Sequence, residues 1–163
     1  MLIGICSDTH NRHQIMRRAV GVFDRAGVER IVHCGDVGGQ AVFDELVGRC
    51  VRFVWGNTDV ADSGLRAYLE AVGIPPPESV PLLLEWAGRR IAVFHGHERG
   101  CTDGPCVLEV DYIFHGHTHA RRDERLGRVR VINPGGLHRA RVKTVATLDL
   151  DTDELTYHEV PRA

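Results

Sequence analysis

The sequence predicts an α/β domain with two β-sheets packed face to face and helices outside. The first half of the chain alternates short apolar runs with segments of helical period. The second half is a series of short apolar runs separated by turn residues. Asp, His and Asn clusters sit directly behind several of these runs, and strands of an α/β sheet deliver their following loops to one shared edge. At 163 residues the chain is the size of one domain, read here as 1–163, and can bury about two thirds of its unfolded surface.

Leu2 to Cys6 is a buried strand ending at Ser7-Asp8. Over 12–26, Ile15, Ala19, Val22, Phe23 and Ala26 fall at helical spacing, and Gly27 stops the helix. Ile31 to Cys34 is the second strand, and 39–47 is a helix carrying Val42, Phe43, Leu46 and Val47. Val51 to Trp55 is the third strand, and a helix near 62–71 ends at Gly73. This alternation implies right-handed crossovers and a mainly parallel sheet.

Pro75-Pro76-Pro77 marks a surface connection. Val80–Trp86 and Ile91–Phe94 flank a hairpin-like turn at Ala87-Gly88-Arg89. Tyr112–His115, Val129–Ile132, Thr144–Leu148 and Leu155–Glu159 follow, the last two joined as a hairpin across Asp149–Glu154. The stretch 98–107 reads as an irregular loop beside the site.

The formal charge of −2 gives no reason to expect nucleic acid or an anionic membrane as an obligate partner. No run approaches the ~18 apolar residues of a membrane helix. The amino terminus enters a strand with no leader-like pattern, so a soluble, cytoplasmic protein is expected. The five cysteines fit a reducing compartment: Cys6 and Cys34 read as buried hydrophobes, while Cys101 and Cys106 could pair or stay free. A homo-oligomer stays open.

The chemistry lies in Ser7-Asp8-Thr9-His10-Asn11, Gly35-Asp36, Gly56-Asn57-Thr58-Asp59, His95-Gly96-His97 and Gly116-His117-Thr118-His119. Asp8 and His10 are two apart, so in extended geometry both project to one side and one ion can take both. Asp36 has two oxygens and can bridge two ions, while Asn57 offers a neutral oxygen. Mixed imidazole and carboxylate donors favour Mn, Fe, Zn, Co or Ni over Mg or Ca. Two divalent ions against Asp8 and Asp36 leave the site cationic, suited to a phosphoryl group, and ions about 3.5–4 Å apart can clamp attacking and leaving oxygens. Taken singly, each cluster is a turn, a helix cap or a solvated loop; together, each behind a strand, they are not a coincidence. His13, His33, His115, His138 and His158 lack such support and read as structural or exposed, with His33 and His138 the two that could help the site.

The series D-x-H, G-D, G-N-x-D, H, G-H-x-H resembles the calcineurin-like metallophosphoesterase superfamily, above all its small stand-alone phosphodiesterase branch. The resemblance runs from Ile3 through Asn133-Pro134-Gly135. It implies a four-layer αββα sandwich of two mixed sheets. It also implies that Asp8, His10, Asp36 and His119 hold one metal, Asp36 bridging, and that Asn57, His95 and His117 hold the other. A bridging hydroxide would be the nucleophile, Asn57 would lie near the substrate phosphate, and His97 would neighbour the site without ligating. Many members have histidine third in G-N-H-D/E, where it can protonate the leaving oxygen. This chain has Thr58, so His97 or a metal-bound water would have to substitute.

The expected activity is hydrolysis of a small phosphodiester or nucleotide-like substrate, with two divalent ions (Mn first, then Ni, Fe, Co or Zn) and no organic cofactor. The rivals are a non-catalytic binding scaffold on the same fold and a nucleotide phosphomonoesterase or nuclease. A scaffold would be expected to lose ligands, and a nuclease to carry a basic stripe for extended nucleic acid.

Overall fold

The computed structural model describes residues 1–101 and 109–161. The strands and helices run β1 (Leu2–Cys6), α1 (His13–Ala26), β2 (Arg30–His33), α2 (Gln40–Asp44), β3 (Val51–Phe53) and α3 (Ser63–Ala71) in the first half. They continue as β4 (Leu82–Trp86), β5 (Arg89–Val93), β6 (Tyr112–Phe114), β7 (Arg121–Leu126), β8 (Val129–Pro134), β9 (Thr144–Asp149) and β10 (Glu154–Glu159). Two five-stranded mixed sheets result, in the orders β10-β9-β1-β2-β3 and β4-β5-β6-β8-β7. This is the α/β sandwich expected from the sequence.

Within the first sheet β1, β2 and β3 are parallel, and β9 joins β1 antiparallel. Within the second, β5, β6 and β8 are parallel. The strand alternation explains the layers. Ile3 and Ile5 of β1 face Ile91, Val93, Tyr112 and Phe114 of the second sheet in one buried cluster. Cys6, Ile31, Val51 and Phe53 face Phe23, Phe43 and Leu69 of α1, α2 and α3 in another. Gly4 lets α1 settle closely, because a Cβ there would stand 2.8 Å from the Phe23 ring. Among the described residues the three helices cover the first sheet, and a third cluster of Ala92, Phe94, Val110, Ile113, Val129 and Val131 lies across the second.

Several sequence expectations need correction. The helix expected over 39–47 is helical only at Gln40–Asp44, followed by turns as far as Gly48. The strand expected from Val80 begins at Leu82, just after the cis Val80–Pro81 peptide. The hairpin turn is Ala87-Gly88 alone, both in the left-handed region, with Trp86 paired to Arg89. Nothing in the apolar pattern predicts β7. Residues 102–107 of the loop expected over 98–107, and any pairing to Cys106, lie outside the described residues. No helix among the described residues is long and apolar enough to cross a membrane.

Candidate metal centre

The carboxyl ends of β1, β2, β3, β5 and β6 lead directly into the sequence clusters, so both sheets empty their loops onto one edge. The loops are laced by backbone hydrogen bonds: Asp8 N–H to the Gly35 carbonyl (3.0 Å), His10 N–H to Asp36 (2.9 Å) and Gly116 N–H to His95 (2.8 Å). Close approach is built in at Gly56, where a Cβ would come within 2.1 Å of Asp36 Oδ1. Asp8, His10, Asp36, His117 and His119 all have φ between 47° and 66°. Side chains in this left-handed region cost about 1–3 kcal/mol each, and such residues cluster at functional sites.

Among the described residues, two groups of side chains could hold a metal ion: Asp8 with His10 and His119, and Asp8 with Asp36 and His95. Asp36 Oδ2 lies 3.4 Å from both His10 Nε2 and His95 Nε2, between the two halves of the cluster. Asn57 Oδ1 lies 3.1 Å from His95 Nε2. His117 enters differently: its backbone N–H donates to Asp8 Oδ2 at 3.1 Å, and its ring centroid is 5.1 Å from that of His95. His97 stands at the rim, its side chain 40% exposed and its ring centroid 6.2 Å from His117. It belongs to neither group.

The tautomers decide what this arrangement can bind. His95 Nδ1 is 2.8 Å from the Cys34 carbonyl, and His119 Nδ1 is 2.7 Å from the His138 carbonyl. A carbonyl only accepts, so in each neutral ring the proton sits on Nδ1 and Nε2 presents a lone pair. The His95 lone pair faces Asn57 Oδ1, and that of His119 faces Asp8 Oδ1 at 3.2 Å. Two acceptors facing each other repel; a cation between them turns both contacts favourable. Asp8 Oδ1 and His10 Nε2 are also buried with no hydrogen-bond partner, a cost that a bound ion would relieve. The donor set therefore fits divalent transition-metal ions.

Electrostatics agrees. Burial pushes the Asp36 carboxyl up, but the Thr58 backbone N–H and hydroxyl, with His95 and His10, hold it below the usual carboxylate range. Burial keeps His10 low, against the pull of Asp36 and Asp8. His33 is pushed down to about 3 by burial and by His95, so it stays neutral beneath the site.

Several residues beyond the expected ligands support the site. Glu98 accepts the backbone N–H of His95 (3.1 Å) and of Gly96 (2.7 Å), fixing the turn that carries His95. Asp59 accepts N–H groups from Val37, Gly38 and Gly56, tying the Asp36 loop to the Asn57 loop. His33 Nε2 lies 2.6 Å from the Thr9 hydroxyl, between the two candidate ligands of the first loop. Asn133 donates to the Gly116 carbonyl at 2.8 Å, which gives the late Asn-Pro-Gly turn its role. The partners that no motif can reveal are backbone carbonyls; His33, which precedes Cys34-Gly35-Asp36, and Asp59, within its motif, carried the available signal.

A fold and site of this kind define a metal-dependent phosphoesterase class, and comparison with known proteins specifies it. Residues 1–153 match the calcineurin-like phosphoesterase superfamily domain, and the chain belongs to that family. It is 29% identical to phosphodiesterase MJ0936 of Methanocaldococcus jannaschii, over 98% of both chains. A solved archaeal phosphodiesterase superposes with a TM-score of 0.82 at 28% identity, covering 98% of this chain and 99% of that one. Vps29 of Entamoeba histolytica, solved with zinc, shares the fold with a TM-score of 0.70 at 21% identity, covering 98% and 91%.

Proposed function

We propose that this chain, acting as one domain over 1–163, is a phosphodiesterase that uses two divalent transition-metal ions, manganese first among them, on a small phosphodiester. The observation that carries the reading is the pair of facing acceptors, His95 against Asn57 and His119 against Asp8. When bound, the ions would supply Lewis-acid chemistry, offsetting phosphoryl charge and making water a better nucleophile near neutral pH.

The chain's own residues do the rest. Asp8, His10, Asp36 and His119 would hold one ion, and Asn57, His95 and His117 the other, with Asp36 shared. The Cys34 and His138 carbonyls orient His95 and His119. Thr58 cannot serve as the acid, because an aliphatic hydroxyl holds its proton far above neutral pH; its backbone N–H instead donates to Asp36 Oδ1 at 2.9 Å. His97, at the rim and near Glu98 (3.6 Å), would then give its proton to the leaving oxygen. A cytoplasmic setting agrees with Cys6, Cys34 and Cys50 standing without disulfides.

A panel of mono- and diesters, assayed with purified protein and added Mn, Ni, Fe, Co or Zn, tests the proposal. Metal-dependent turnover of bis(4-nitrophenyl) phosphate above that of 4-nitrophenyl phosphate is expected. Preference for the monoester, or no hydrolysis of either by protein that has taken up metal, would overturn it.

A further inference from the structure

Two clefts flank the candidate centre, and they differ in charge. One, of about 530 Å³, lies on the Thr58 side and is lined by Gly38, Gly39 and Gly64 together with Val60, Leu65 and the acidic Asp62. The other, of about 520 Å³, opens beside His138. Asn11 lines both, so the loop that carries His10 forms the wall between them. The second cleft borders the centre through His138. The His138 ring stands 5.3 Å, centroid to centroid, from that of His10, and its carbonyl holds His119.

Arg12, Arg18 and Lys143 line this second cleft around a floor of Ile15 and Leu137, and among the described residues no acidic side chain lines it. Arg18 is steadied by the Pro161 carbonyl at 3.3 Å, which orients its guanidinium without neutralising it. The carboxylate of Glu45, just past α2, is engaged by Arg17 and faces His13. The first turn of α1 carries no acidic residue, so its free amides add potential of the same sign. Like charges around one concavity repel, and the repulsion is relieved when an anion enters.

We propose that this cleft recognises an anionic arm of the substrate: a phosphodiester in which one ester group carries a second anionic group, while the uncharged arm lies against Val60 and Leu65. The proposal rests on the phosphodiesterase reading for the scissile group. It makes Arg18 and Lys143 specificity-determining residues, with Arg12 at the rim.

Calorimetric titration of the manganese-loaded protein with phenylphosphonate and with 4-carboxyphenylphosphonate tests it. The wild type should bind the carboxylated ligand about ten-fold or more tightly at low salt, the scale of a charge-assisted contact. The Arg18→Gln/Lys143→Gln protein should lose that preference while binding phenylphosphonate within about two-fold of wild type. Lys143→Gln alone, which leaves the Arg18–Pro161 contact in place, should lose about three-fold and guards against misfolding of the pair. Equal binding of the two ligands by wild type, no binding of either, or a preference that survives the double substitution would overturn the assignment. Turnover of 4-nitrophenyl phenyl phosphate by wild type is read separately: its absence would sink the phosphodiesterase reading and leave the binding result standing on its own.

Discussion

At the carboxyl ends of the parallel strands the carboxylates face imidazole lone pairs; at the amino ends they face guanidinium groups. Arg130 donates to Asp123 at 2.8 and 2.9 Å and to Asp153, which also accepts from Tyr112 and Arg125. Arg130 holds Asp123 below its usual range. Burial pushes Asp153 up, but Arg130 and Tyr112 bring it below its usual range as well. At the other end Asp8 Oδ1 has no hydrogen-bond partner, and its backbone sits at φ 58°. One sandwich thus carries a satisfied polar cluster that braces its sheets and an unsatisfied one whose side chains could hold a metal. The contrast teaches where to look: unpaired buried polar atoms and strained backbone together mark function, and paired ones mark stability.

The sharpest way to break the contrast is Asp36→Asn. It should lower diester turnover by about 1,000-fold or more. The melting temperature of the metal-free protein should barely change, because the amide oxygen can still accept from Thr58; a large loss of stability would make Asp36 a structural residue. Asp59→Ala comes next, removing the acceptor of three backbone N–H groups. Urea denaturation should show about 3 kcal/mol of destabilisation, with reduced metal affinity because the loops bearing Asp36 and Asn57 come apart.

Arg130→Met should do the reverse of Asp36→Asn. About 1.5 kcal/mol of stability would go, discounted for the exposure of Asp123 and Asp153, with turnover unchanged. Its pH dependence is specific. Both partner carboxyls titrate below their ordinary value of 3.8 when folded, so their contribution is present above that value and fades as pH falls through the lower folded values. Between pH of about 5 and about 2 the wild type should therefore lose more stability than Arg130→Met. Arg122→Ala, which removes the exposed pair with Glu124 on the same strand, should change stability by under about 0.5 kcal/mol and serves as the baseline.

The same contrast explains what the sequence disclosed. Strands buried on both faces, such as Leu2–Cys6 and Tyr112–Phe114, are uninterrupted apolar runs, so the order of residues alone assigns their loops to one edge. β7 reads Arg-Arg-Asp-Glu-Arg-Leu and has no apolar alternation, because it is an exposed edge strand whose charges discourage pairing with another chain. The candidate ligands were legible because metal chemistry restricts side-chain types. Their orienting partners were not, since the Cys34 and His138 carbonyls belong to the backbone and carry no residue signature. Nor could spacing alone choose between His95 and His97. The structure brings His95 within 3.4 Å of Asp36 and leaves His97 beside Glu98.

The most direct test of the central claim is a metal titration of chelator-stripped protein, with bound metal and bis(4-nitrophenyl) phosphate turnover measured on the same samples. Turnover should stay near zero without metal and reach its plateau at two manganese ions per chain. A plateau at one ion, or undiminished turnover in stripped protein, would contradict the two-ion centre.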